Sequence, residues 1–284
     1  MLRRIKNRAF IFTIHAALIS FTIIVLCPIL WIIVASLRQV GNLYSSSIDL
    51  STFSFANYRS VLTRSEFLRW VFNSFVVCSI STILALCFTT IAGYAFPRMR
   101  FAGRRYGLMS LIIIQMFPSM MAMVALYSLL DVFDRITGGI IGFNLWGLIV
   151  IYTGGGIPFN MWLVKGYMDT IPKELEESAF IDGATRWQAF TKVVLPLMGP
   201  ILAVIAIFSF IGSYNDFLIP SIVLQDSSQY TLAVGLRSFI SGRFSTNWTE
   251  FAAASLMGAL PIMIVFLSLQ RFLVQGLTKG AVKG

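Results

Sequence analysis

The sequence predicts an all-α integral membrane protein with six spanning helices, and three observations lead there. Of 284 residues, 57% are hydrophobic and 12% charged, with a mean hydropathy of +0.80. A soluble domain carries about twice that share of charge. Reading between successive Asp, Glu, Lys and Arg residues leaves six long uncharged stretches, 9–37, 70–97, 106–130, 136–164, 193–215 and 251–270. A bilayer core of about 30 Å needs about 20 helical residues, which every stretch supplies. Finally, the basic residues fall unequally on alternate connections, as spanning topology requires.

The spans are expected at 10–35, 71–95, 106–130, 141–164, 197–216 and 251–271. The first follows Arg3, Arg4, Lys6 and Arg8. A cleaved signal peptide would show the same basic start, with Val34-Ala35-Ser36 as its cleavage site. The apolar run exceeds the usual 7–15 residues, so the helix is expected to stay. His15 lies inside it and reads as a buried structural histidine, since a metal site needs several converging ligands. Cys27, Cys78 and Cys87 fall inside the first two spans and act as small hydrophobes rather than a disulfide framework. The third and fourth spans carry Gln115 and Asn160, and the fifth ends on Tyr214 and Asn215. Unpaired amides are costly in hydrocarbon, so these polar groups are expected to face the bundle interior. Pro28, Pro118, Pro158, Pro261 and the run Gly154-Gly155-Gly156 mark expected bends, as packing kinks or as hinges. Six spans leave short loops and no separate soluble domain, so residues 1–284 read as one transmembrane domain.

The charge distribution sets the orientation. Fifteen Lys and Arg residues precede the first span, join the second to the third and the fourth to the fifth, or end the chain; seven lie on the other face. Five acids accompany the fifteen and seven accompany the seven, so the net charge of +10 sits on one side. Retained basic residues mark the cytoplasm, which places both termini there. The excess is therefore an orientation signal and gives no nucleic-acid surface. The 25 Phe, 9 Tyr and 6 Trp exclude a disordered chain. No G-x-x-x-x-G-K-[ST] loop is present to cradle nucleotide phosphates. Asp216, at the edge of the fifth span, is the nearest approach to an intramembrane acid, which disfavours an ion-coupled carrier.

The connection at 169–196 departs from the pattern. It gathers five carboxylates on the basic face: Asp169, Glu174, Glu176, Glu177 and Asp182. Pro172 suits a first helical turn, and the glutamates complement the positive helix end, so a short helix is expected over 172–181. Gly183 ends it; Asp182 or Thr185 caps a second helix beginning near Trp187. Leu175, Ser178, Ala179 and Asp182 recur three or four apart, giving a face of mostly small side chains that another backbone can approach. An interfacial helix resting on lipid headgroups is the competing reading. The acids suit a protein partner better than an anionic leaflet.

Glu177-Ser178-Ala179, Gly183 and Val193-x-Leu195-Pro196 together resemble the EAA loop of binding-protein-dependent ABC importer permeases. Ala92-Gly93-Tyr94-Ala95-Phe96-x-Arg98-x-Arg100-Phe101-x-Gly103-Arg104 is similar to that family's second cytoplasmic connection. Ile171-Pro172-x-Glu174-Leu175-x-Glu177, Asp182-Gly183-Ala184, Asn215-Asp216-Phe217-Leu218 and the ending from Gln270 to Gly284 agree in order. The likeness is greatest to the maltose-type carbohydrate permeases, specifically the smaller of their two paired subunits. It implies a non-catalytic subunit in a prokaryotic cytoplasmic membrane, moving a carbohydrate inward. The implied partners are a second permease, an ATPase dimer that binds ATP and magnesium, an extracytoplasmic binding protein and membrane lipid. This chain itself would bind no cofactor or metal.

The resemblance also implies roles. Glu174, Leu175, Glu177, Ala179, Phe180, Asp182 and Gly183 would couple the chain to the ATPase, and Lys279 and Lys283 in the tail would contact it. Gln115, Asn160, Tyr214 and Asn215 are candidate liners of the translocation path, or helix–helix hydrogen-bonding groups. The outer loops 38–69 and 218–249 hold Tyr44, Phe53, Phe55, Tyr58, Tyr230, Phe239, Phe244 and Trp248, suited equally to docking a binding protein and to interfacial anchoring. A self-sufficient ion- or proton-coupled carrier, a permease for a non-sugar solute, and a structural membrane subunit are the alternatives.

Overall fold

The computed structural model of the chain describes residues 2–38, 53–241 and 247–281. Among these the regular structure is helical, apart from one isolated bridge between Arg38 and Phe53. The helices are α1 (Leu2–Leu37), α2 (Ala56–Arg64), α3 (Phe67–Arg98), α4 (Arg104–Gln115), α5 (Ser119–Thr137), α6 (Leu145–Met168), α7 (Glu174–Ile181), α8 (Arg186–Ala189), α9 (Leu195–Leu197), α10 (Gly199–Asn215), α11 (Leu218–Val223), α12 (Leu232–Arg237) and α13 (Trp248–Ala281). A π turn, Phe190–Val194, joins α8 to α9.

Four stretches among the described residues are long and apolar enough to cross a bilayer: Phe10–Leu37, Phe67–Arg98, Leu145–Met168 and Trp248–Arg271. A fifth follows if Arg186–Leu197 and Gly199–Asn215, bent by 69°, count as one span. The expected third span over 106–130 is not a single helix. It divides into α4 and α5 at residues 116–118, where the Phe117 N–H bonds Ile114 O at 3.2 Å and Pro118 caps the next helix. Proline has no N–H to extend the ladder and biases its predecessor away from helix. Pro28, Pro158 and Pro261 lie inside continuous helices, as does the run Gly154–Gly156. Of the expected interruptions, Pro118 is thus the one that breaks a helix.

The faces of these helices are apolar outward. No residue from Phe10 to Ile33 is buried, and Phe12 is 75% exposed. Such a surface is unstable in water and requires lipid or a partner around it. His15 shares this exposure, with Nδ1–H donating to Ile11 O at 2.8 Å, so its expected burial is corrected. Cys78 is buried, Cys27 and Cys87 are exposed, and all three are free thiols.

The chain forms two compact units, residues 1–67 with 236–259 and residues 68–235 with 260–284. In the first, the buried Asn57 carboxamide donates to Ser36 O at 2.8 Å and Arg38 O at 2.7 Å, while Ser60 donates to Glu250 at 2.7 Å. In the second, Tyr94, Val164, Met168, Phe190, Val194, Met198 and Ile205 form one apolar core, and Val77, Leu130, Leu148, Ile149, Val223 and Leu224 form another. Gly93 makes the first core possible. A Cβ there would lie 2.2 Å from Val164 Cγ1, so α3 and α6 approach as closely as they do because position 93 lacks one.

Candidate functional site

The acidic connection folds from local signals. Asn144 starts α6 by accepting from the Trp146 and Gly147 N–H groups, each at 3.0 Å, and the helix runs to Met168, past the expected end at 164. After a tight turn, α7 begins at Glu174 with Glu174, Glu176 and Glu177 in its first turn, where helix N-terminal charge favours carboxylates. It stops at Gly183, whose φ of 84° is left-handed. Ala184 N–H bonds Ala179 O at 2.9 Å and Gly183 N–H bonds Phe180 O at 3.1 Å, the paired closure that glycine permits at a helix end. Thr185 rather than Asp182 caps the next helix, in a reciprocal box with Gln188.

Downstream, the Leu195 N–H reaches Phe190 O across the wider π turn. Pro196 follows, without an N–H to continue the ordinary ladder. The 69° bend at Met198 then redirects the chain into α10. Phe190 packs on Tyr94 of α3 with ring centroids 4.7 Å apart, and Trp187 lies 5.5 Å from Phe190. The connection is thereby seated on the end of α3 that carries Tyr94 and on the end of α6 that carries Val164 and Met168.

One carboxylate fixes α7. Glu176 is 5% exposed; its Oε1 accepts from Arg98 Nε at 2.5 Å and its Oε2 from the Tyr94 hydroxyl at 2.9 Å. Arg98 Nη2 also donates to Ile171 O at 2.7 Å. A buried charge requires this degree of compensation. The anchor lies in a cavity of about 400 Å³ lined also by Met99, Arg100, Lys173, Glu177, Phe180 and Arg186.

Of the remaining side chains of α7, Glu177 and Phe180 border the anchor's cavity and the others do not line it. Glu174, Leu175, Glu177, Ser178, Phe180 and Asp182 are exposed, and Ala179 is half-buried. The small-residue face is thus open to a partner. Ile181, at 86% exposure, and Trp187, at 65%, extend it as bare apolar groups. Neither they nor Glu176 stand among the coupling candidates read from sequence. Glu176 falls at an unspecified position of the pattern Ile171-Pro172-x-Glu174-Leu175-x-Glu177; Ile181 and Trp187 carried a signal in being large and apolar within a charged connection.

Three of the other candidates, Asn160, Tyr214 and Asn215, lie on or against α10, and Gln115 ends α4. Asn160 is buried and donates to Ser209 Oγ at 3.2 Å, linking α6 to α10. Tyr214 is buried and stacks on Phe210 at 5.9 Å, whereas Gln115 and Asn215 are exposed. Asp216 accepts from the Tyr152 hydroxyl at 3.0 Å through one oxygen and from Leu218 N–H at 2.9 Å through the other. Lys279 falls within α13, while Lys283, Tyr44 and Phe244 lie outside the described residues.

Comparison with known proteins gives a consistent result. The family model "Binding-protein-dependent transport system inner membrane component" matches residues 85–279. The maltose/maltodextrin transport system permease protein MalG of Escherichia coli (strain K12) is 41% identical over 294 residues, covering 98% of each chain. MalG of Vibrio vulnificus (strain YJ016) is 41% identical over 282 residues, covering 95% of each. Among solved structures, a chain of a bacterial ABC transporter involved in the import of the acidic polysaccharide alginate superposes with a TM-score of 0.77 at 22% identity, covering 94% of this chain and 97% of that one. A chain of the MetNI methionine ABC transporter superposes with a TM-score of 0.57 at 20% identity, covering 74% and 95%. These last two establish likeness of fold.

Proposed function

The chain belongs to the family of binding-protein-dependent transport system inner membrane components, and on that premise we propose that it is the smaller permease subunit of a maltose-type importer. It moves a carbohydrate inward across the cytoplasmic membrane of a prokaryote. A separate ATPase dimer binds ATP and magnesium and supplies the energy, a second permease completes the pathway, and an extracytoplasmic binding protein delivers the sugar. The observation that carries this reading is the 41% identity to MalG over 98% of the chain.

The proposed topology treats the whole chain as one transmembrane domain with six crossings: α1, α3, the broken pair α4 and α5, α6, α10 with the bent segment before it, and α13. Both termini face the cytoplasm, supported by the fifteen-to-seven division of basic residues. Residues 169–196 form the coupling elbow on that side. Leu175, Ala179, Phe180, Ile181 and Trp187 offer apolar contact to the ATPase. Glu174, Glu177 and Asp182 offer charge, Gly183 sets the turn, and Lys279 and Lys283 add a second contact from the tail.

The physical route is short. When the ATPase dimer closes, α7 moves as a body, because its ends are held by Gly183 and the Glu176 anchor. Glu176 passes displacement to α3 through Arg98 and Tyr94, and Phe190 passes it toward α10. Interfaces so packed switch between discrete arrangements rather than deform smoothly. Asp216, with both oxygens engaged, suits a structural role better than that of an ion-coupling acid.

The test is reconstitution of the chain with its ATPase, second permease and binding protein in liposomes. Uptake of labelled maltodextrin that requires both ATP and binding protein is expected. Uptake by this chain alone, driven by an ion gradient, would overturn the reading.

A further inference from the structure

A second cavity, of about 520 Å³, lies where the start of α4 meets the end of α6, apart from the anchor. Its cations come from two elements: Arg104 and Arg105 from α4, and Lys165 from α6. No carboxylate lines it. Lys165 is held by Asp169 at 2.6 Å, which offsets one of the three charges. Among the described residues, no carboxylate pairs with Arg104 or Arg105 within ion-pair distance. Two guanidinium groups therefore face the cavity uncompensated, and guanidinium geometry suits phosphate.

The rest of the lining is not that of a site for a free ion. Phe101, Tyr106 and Leu108 supply apolar surface beside the cations. Below Arg105 on the same helical face, at spacings of three and four, lie Met109, Ile112 and Met116, exposed by 44%, 43% and 77%. No residue of α4 is buried. A charged mouth thus continues into an uncovered apolar track running along a membrane-crossing segment.

We propose that this cavity holds the headgroup phosphate of an anionic phospholipid, whose acyl chain lies along Met109, Ile112 and Met116. Basic pockets beside spanning helices on the cytoplasmic side recognise anionic headgroups, each Lys or Arg near the surface adding attraction. Arg104 and Arg105 bind the phosphate, Tyr106 sits at headgroup level, and Lys165 shares its ammonium between Asp169 and the lipid. The inference rests on the proposed topology, which puts residues 98–105 at the cytoplasmic membrane surface.

The whole importer, assembled in nanodiscs of mixed phosphatidylcholine and phosphatidylglycerol, supplies the test. Phosphatidylglycerol carried through detergent extraction is counted by native mass spectrometry. Arg104→Gln with Arg105→Gln is expected to weaken retention about fivefold per cation removed, whereas Arg59→Gln, an exposed cation elsewhere, leaves it unchanged. Equal retention by the double variant and the parent would overturn the proposal. So would displacement of the lipid by soluble glycerophosphate, which would make this a phosphate site with no use for the apolar track. In parallel, Tyr106 is replaced by p-benzoylphenylalanine and cross-linked to lipid. Adducts enriched in phosphatidylglycerol over its share of the bilayer support the site, and adducts in bulk proportion overturn it while leaving the topology standing. An absence of lipid adducts would overturn both.

Discussion

The Arg98 guanidinium, in the last turn of a spanning helix, holds the carboxylate of Glu176, in the first turn of a short surface helix, at 2.5 Å across 78 positions of sequence. Each partner is almost enclosed, and each makes one further hydrogen bond, to Ile171 O and from Tyr94. The pair joins the piece of chain that would meet the ATPase to a piece that crosses the membrane.

Glu176→Gln should leave Arg98 buried without its counter-charge. Loss of one member of an enclosed pair costs about 3–5 kcal/mol, so the variant complex is expected to inactivate at lower temperature and to transport poorly. Arg98→Gln is expected to do the same, and the double variant should lose less than the sum of the two. Strict additivity in thermal inactivation would show that the two side chains act independently.

Gly183→Leu forces a side chain into a left-handed conformation, at a cost of about 1–2 kcal/mol. The complex is expected to assemble, with ATP hydrolysis no longer rising on addition of loaded binding protein. Gly183→Asn, which tolerates that conformation, should retain more of the response. Undiminished sugar uptake by the leucine variant would contradict the role given to this turn.

Ile181 and Trp187 are bare in the isolated chain, and burial of one such side chain contributes about 1.5–3 kcal/mol. Ile181→Ser and Trp187→Ser are each expected to weaken capture of the ATPase by tenfold or more, measured by titrating purified ATPase onto the immobilised permease pair. Unaltered capture would remove both from the interface.

Asp216→Asn keeps the shape of the group and one of its acceptor oxygens while removing its charge. Uptake powered by ATP is expected to persist at near the parental rate and to be indifferent to a protonophore. A collapse of transport with this substitution, together with protonophore sensitivity, would restore an ion-coupled mechanism.

Much of this was legible in the chain because helices and turns are local events. Apolar runs gave α1, α3, α6 and α13, and the left-handed glycine and threonine box around 183–188 followed from residues within four positions of one another. The elements that escaped depend on distant partners. Glu176 stands in a run of acids and differs from Glu174 and Glu177 in facing Arg98, which proximity along the chain does not reveal. Proline is equally ambiguous: Pro158 and Pro261 sit in unbroken helices, while Pro118 ends one, because the outcome turns on whether neighbouring groups absorb the freed carbonyl. The polar candidates depend on distant partners as well: Asn160 finds its bond on α10, while Gln115 is exposed on the isolated chain.

The π turn at Phe190–Val194 sets the rotational phase between the surface helices and α10. Accommodating one extra residue in a helical circuit turns everything beyond it by about 100° about the axis. A chimaera that imports the coupling segment of another permease therefore keeps its membrane-facing side chains aligned when the splice falls after Val194 and carries the whole turn with it. Because α10 leaves that axis at 69°, a splice inside the turn would re-aim the whole helix and pull Ile205, Ile207, Phe210 and Tyr214 out of their packing without changing a single residue in it.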